Sequence, residues 1–295
     1  MSTIAPIPNE MLQATPAVRG RRGVPGLRGT GAIGHVCAAI ILVAVLIAIV
    51  GSLIAPYPPN QLNISYAFVG AQGNHLLGFD GQGRDLFSRL LVGARSSLLG
   101  PLLVSTLAVV TGAVLAVAAA WIGGWFDSTL AMVFDVLFAF PAILLAVVAA
   151  AVYGPGLTSA VCALSIAYLP YVARVLRGAG LRERSQPYVE ALEVQGLSAT
   201  RICVRHLLPN VGSLVVAQGT ILFGWAMVDL AAISFLGLGV QAPQADWGVM
   251  LADGKVGVLE GYPLEAVSAA LCIVVVVTAV SLLGERLHEQ AQDGS

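Results

Sequence analysis

The side chains able to do chemistry are few and unevenly placed. From Arg174 to Arg205 the chain carries six arginines, with Glu183, Glu190 and Glu193 among them. Two acids, Asp135 and Asp229, stand inside apolar stretches, and four histidines, His35, His75, His206 and His288, are scattered. Cys37, Cys162, Cys203 and Cys272 show no CxxC or Cys/His spacing of a metal site and read as small apolar fillers. There is no HExxH and no sign of a Ser/His/Asp set. The nearest approach to a phosphate loop is GVMLADGK, Gly248 to Lys255. Its glycine spacing is one residue too long, and Val256 follows where Ser or Thr is needed. The expectation is a non-catalytic chain with no metal and no cofactor of its own. The dense charge then reads as a binding surface.

That surface is the stretch YVEALEVQGLSATRICVRHLLPN, Tyr188 to Asn210. Pro187 can open a helix at its first turn. Tyr188, Ala191, Leu192 and Gln195 recur at helical spacing as a narrow, mostly apolar face. Glu190 and Glu193 lie near the helix start, where the dipole favours acids. Gly196 is a natural stop. Ser198 or Thr200 can begin a second short helix through Leu207, ended by Pro209-Asn210. Arg201, Arg205 and His206 could meet lipid phosphate. Alternatively, a short helix with a small apolar face can dock in a groove on a protein, which also accounts for the glycine-turned hairpin.

The elements that must position this hairpin are membrane spans. The 295 residues are 57% hydrophobic and 11% charged, with mean hydropathy +0.86, where soluble domains carry about 25% charge. The net charge of −1 gives no argument for nucleic acid. Runs of about 20 apolar residues predict six spans: 36–54, 97–122, 130–152, 157–175, 211–235 and 264–283. Pro141 and Pro170 fall within spans and are expected to kink them. A Gly/Pro/Arg-rich leader with Arg19, Arg21, Arg22 and Arg28 precedes the first span, which reads as retained rather than as a signal peptide. The leader and the loop between spans four and five share one side and most of the basic charge, so both termini are placed in the cytoplasm. The expected division is a tail at 1–34, a first helix and loop at 35–96, a five-helix core at 97–285 holding the hairpin at 188–210, and a tail at 286–295. Asp135 and Asp229 are placed near helix ends. A structural or interfacial role is weighed against a substrate or proton role.

The hairpin resembles the EAA loop of binding-protein-dependent ABC importer permeases: E-A-A, three residues, Gly, nine residues, then I-x-L-P. Glu190, Ala191, Gly196, Leu208 and Pro209 fit at that spacing, while Leu192 replaces the third residue and His206 takes an apolar position. His75-Leu76-Leu77-Gly78-Phe79-Asp80, then Gly83-Arg84-Asp85-Leu86-Phe87-Ser88-Arg89, is similar to the H-P-L-G-T-D…G-R-D-x-x-S-R signature of the C-type subunits of dipeptide and oligopeptide permeases. Ser234 to Val240 (SFLGLGV), Pro243, Trp247-Gly248 and Met250 to Gly254 match the segment before their last span.

The resemblance implies an all-α membrane protein of the type I importer architecture in a bacterial inner membrane. It implies a pairing with a homologous B-type permease subunit, with two ATP-binding subunits or one fused ATPase carrying ATP and magnesium, and with an extracytoplasmic substrate-binding protein. Tyr188, Glu190, Ala191, Leu192, Gly196, Arg201, Arg205, Leu208 and Pro209 would couple to the ATPase. Cargo would be di- or oligopeptides, with nickel chelates or glutathione as alternatives. A secondary transporter or channel would need intramembrane charges on a path and no such hairpin, and an intramembrane enzyme would need paired catalytic groups at one depth.

Overall fold

The structure, a computed structural model, describes residues 31–293, with side chains from 32 to 286. The leader expected at 1–34 therefore lies almost wholly outside the described residues. Among those residues there is no strand beyond two isolated bridges, Gln72 with His75 and Phe79 with Asp85. The helices are α1 (Gly31–Ile54), α2 (Leu86–Ile122), α3 (Gly124–Phe138), α4 (Ala142–Tyr153), α5 (Leu157–Arg184), α6 (Pro187–Val194), α7 (Ala199–Ile202), α8 (Leu208–Asn210), α9 (Gly212–Phe235), α10 (Trp247–Leu259) and α11 (Leu264–Asp293).

Five helices, α1, α2, α5, α9 and α11, are each long and apolar enough to cross a membrane. A lipid-exposed span must satisfy its own backbone hydrogen bonds, so long apolar runs become helices. The expected third span is two helices, α3 and α4, bent by 83°. Pro141 sits at the break as the N-cap of α4, where its missing N–H costs nothing. Pro170 behaves differently: it is buried inside an uninterrupted α5, as Pro101 is inside α2.

The ends also differ from expectation. α2 begins at Leu86, eleven residues before the expected 97, because Asp85 caps it by accepting from Ser88 N at 2.8 Å. α11 continues to Asp293, through most of the segment expected as a tail. α10 was not anticipated. It starts at Asp246, whose carboxylate accepts from Gly248 N at 2.9 Å and Val249 N at 3.3 Å.

Small residues set the packing. α2 lies against α5 with Ala108, Ala113 and Ala116 buried beside Val172 and Leu176. A Cβ at Gly112 would meet Val172 Cγ1 at 2.8 Å, and one at Gly51 would meet the Leu91 carbonyl oxygen at 2.4 Å. Such closeness is how helices gain contact in lipid, where hydrophobic transfer gives no help. α2 spans roughly 55 Å at 1.5 Å per residue. One end of it carries the loop 55–85, here the cap, and the other carries the hairpin of α6 to α8.

Candidate functional site

The hairpin is held by four wholly or largely buried side chains: Val189 on α6, Ile202 on α7, Leu207 beyond it, and Val117 near the end of α2. Ile202 and Leu207 are both fully buried. Five residues apart on an α-helix they would point about 140° away from each other. Between them Cys203–Leu207 forms a wider π turn, which brings both to the same side. Gly196 ends α6 at φ +79°. Its N–H bonds to Glu193 O at 2.9 Å, and Leu197 N bonds to Leu192 O at 3.2 Å, the closing pattern of a helix that stops on a left-handed residue.

Polar contacts fix the hairpin to the bundle. The Tyr188 hydroxyl donates to Glu183 Oε1 at 2.8 Å, and Asn210 Nδ2 donates to the same oxygen at 2.7 Å. One carboxylate at the end of α5 thus gathers the start of α6 and the end of α8. Arg184 donates to the backbone carbonyls of Ala120, at 2.7 Å, and Trp121, and lies over the Trp121 ring.

The expected coupling residues divide in two. Glu190, Ala191, Gly196, Arg201, Arg205 and Pro209 are exposed, whereas Tyr188, Leu192 and Leu208 are partly buried against the bundle. The apolar face read from Tyr188 and Leu192 is therefore the inward one. Sequence reasoning missed the outward apolar residues Val194, 88% exposed, and Val204, 61% exposed. Val189 carried the missed signal: it is the position that pairs with Leu192 at i+3.

The signature residues of the cap form a second site, at the other end of α2. Asp80 accepts from Arg84 N and Gln82 N, each at 2.8 Å, and from Arg84 Nε. Arg84 Nη2 donates to Asp253 on α10 at 2.8 Å. Burial pulls the Arg84 guanidinium down, but the hydrogen bond to Asp253 and the two carboxylate charges outweigh it and hold it above its ordinary value. Asp85 receives His75 Nδ1 at 2.7 Å besides capping α2. Ser88 Oγ accepts from Tyr57 N at 3.2 Å.

Arg89 is fully buried. Its Nη1 reaches Pro59 O at 3.2 Å, and the Asp80 and Asp253 carboxylates lie 3.7 Å away. Gly78 and Gly83 both have positive φ. A Cβ at Gly83 would fall 1.7 Å from Asn63 O. These residues clamp the cap onto α2 and α10.

The two intramembrane acids part company. Asp135, near the end of α3, is exposed and pairs with Arg174 at 2.6 Å. Asp229 lies about two turns before α9 ends and receives the Tyr168 hydroxyl. Among the described residues no group of three or more His, Cys, Asp or Glu could hold a metal ion.

The sequence profile of a family described as binding-protein-dependent transport system inner membrane component matches residues 108–292. That range takes in the hairpin and α9 to α11. The dipeptide transport system permease protein DppC of Alkalihalophilus pseudofirmus is 34% identical over 250 residues, covering 85% of this chain and 82% of that protein. The glutathione transport system permease protein GsiD of Escherichia coli is 36% identical over 253 residues, covering 85% and 83%. A Brucella suis protein, provisionally named as a peptide transport system permease protein, is 37% identical over 256 residues, covering 84% of each chain.

Proposed function

The chain belongs to the family of inner membrane components of binding-protein-dependent transport systems, and from this we propose that it is a peptide importer's permease subunit, coupled to ATP hydrolysis through the α6–α8 hairpin. It carries no chemistry itself. A homologous B-type subunit completes the path, separate ATP-binding subunits supply ATP and magnesium, and an extracytoplasmic binding protein delivers cargo to the cap. The hairpin and both termini face the cytoplasm.

One observation carries the coupling reading. The hairpin buries Val189, Ile202 and Leu207 in its own bundle yet leaves Ala191, Val194 and Val204 exposed, along with the charged Glu190, Arg201 and Arg205 of the same segment. An exposed apolar patch with a polar rim is how a docking surface is built. Its anchors on α2 and α5 make it a lever rather than a loose loop. Closure of the ATPases moves it, and the helices follow, provided the two membrane states bind the ATPase states differently. The names of the relatives support di- or oligopeptide cargo, and GsiD supports glutathione, itself a small peptide, as the second reading.

Cysteine crosslinking tests this. Val194→Cys and Ala191→Cys should crosslink to an ATP-binding subunit in assembled transporter, while Val189→Cys should not. Crosslinking from neither outward position, in a transporter that still imports peptide, sinks the reading.

A further inference from the structure

Asp229 sits roughly 9 Å from the cap-ward end of α9, well inside the span. Asp229 stands at the edge of an open face: Trp225, one turn before it, is 45% exposed, whereas Ala226 and Ile233 on its other flank are fully buried. An ionisable side chain facing hydrocarbon is costly. Lipid is therefore a poor cover for this face of α5 and α9, and water or another chain is a good one.

The groups around the carboxylate are specific. The Tyr168 hydroxyl holds Oδ2, and Oδ1 accepts no hydrogen bond from the described residues. Tyr168 and Tyr171 of α5 lean on Trp225, with ring centroids 6.4 and 5.0 Å apart. The next charges along α5 and α3, Arg174 and Asp135, neutralise one another, and Arg174 is also spent on the Phe138 ring at 4.7 Å. Asp229 is left as the acid of this face without a countercharge among the described residues.

We propose that Asp229, framed by Trp225 and Tyr171, is a transient binding site for the ammonium group of the cargo within the membrane. The site rests on the import reading and specifies what part of a peptide the path recognises. A carboxylate oxygen supplies the countercharge, and indole and phenol faces attract the same cation. Tyr168 pins the other oxygen, so the acid is aimed without being neutralised. One charge and two rings bind weakly enough for release, as a path requires.

The test uses the assembled transporter in proteoliposomes with saturating loaded binding protein. Dialanine is the cargo, and N-propionylalanine is the same shape without the ammonium. Asp229→Asn should lower the maximal dialanine uptake rate at least tenfold without changing the half-saturating concentration of binding protein. Asp229→Glu should recover to within about threefold of wild type. In detergent, without binding protein, the fluorescence change assigned to Trp225 by difference from Trp225→Phe should be produced by dialanine, not by N-propionylalanine at tenfold higher concentration. Asp229→Asn should abolish it.

Equal responses to the two probes, or an Asp229→Asn transporter that imports at the wild-type rate, overturn the site and leave the import reading standing. A dialanine-specific signal in a wild-type transporter that accumulates no peptide overturns the import reading and leaves the site. If Asp229→Asn does not assemble, Trp225→Leu provides the uptake arm: a loss of at least threefold is expected, and wild-type uptake overturns the site.

Discussion

The Arg184 guanidinium lies 4.9 Å from the centre of the Trp121 ring and also donates to the backbone carbonyl of that same residue. One side chain at the end of α5 thereby closes the end of α2, beside the buried anchors of the hairpin. Arg184→Ala should loosen this junction by about 1–3 kcal/mol, from the lost charged hydrogen bonds and ring contact. Peptide transported per ATP hydrolysed should fall several-fold while the chain still inserts. Arg184→Lys keeps the charge but not the planar fork and should lie between. An unchanged ratio in both variants removes the junction from the coupling route.

Gly196 has no atom within 4 Å of where a Cβ would stand. Any effect of substitution there is backbone strain at φ +79°. Gly196→Val should cost about 1–2 kcal/mol and reduce co-purification of the ATP-binding subunits. Gly196→Asn, which tolerates left-handed backbone, should behave nearly as wild type. Equal loss in both would point to a space requirement imposed by the partner.

Gly83 is the opposite case, since left-handed φ and a 1.7 Å clash coincide. Gly83→Ala should release the cap at a cost of at least about 2–4 kcal/mol, combining strain with overpacking. Proteinase K should then cut between residues 61 and 77 much faster than in wild type. Protection equal to wild type would mean the cap can re-register around Asn63.

Arg84→Met should destabilise more than Asp253→Asn. Arg84 is almost fully buried, and removing it takes from Asp80 its hydrogen-bonded charge partner and leaves only Arg89 at 3.7 Å, at about 3–5 kcal/mol. Asp253 is about a quarter exposed, so solvent discounts its loss to about 1–3 kcal/mol. The double variant should be less destabilised than the sum, because one pair is counted twice. Thermal unfolding of the purified complex reads all three, and strict additivity would show that the bridge carries no energy of its own.

Burial raises the Asp246 carboxyl above the usual aspartate range, against the opposing hydrogen bonds from Ser97, Val249 and Gly248. The folded state then holds a proton that the unfolded state has lost. Stability falls as pH rises from about 4 through the raised value. Asp246→Asn keeps the cap acceptor and removes the titration, so its unfolding temperature should be flatter across that window. Parallel profiles for the two proteins would contradict the assignment.

The spans were legible because apolar length and breakers are local signals, and the glycine turn because Gly196 punctuates a short polar run. Three features were not. α10 lies in a segment whose apolar residues are too few to read as a span, and its start depends on Asp246 being buried against Ser97, 149 residues away. The sorting of Leu192 inward and Val194 outward depends on Val117 and Trp121 of α2, which no window around the hairpin contains. The surroundings of Asp229 are set by Tyr168 of α5, 61 residues away, so its partner could not be read from the sequence while its expense in lipid could.

The π turn at Cys203–Leu207 holds one residue more than an α-helix would need to join the same buried anchors. The hairpin thus contains a spare residue at one defined place. A lineage could delete Val204 and restore plain α-helical phase, leaving Leu207 four residues from Ile202 on the same side and shortening the outward patch. Within α6 or α7, a single deletion would instead turn every later residue of that helix by about 100°.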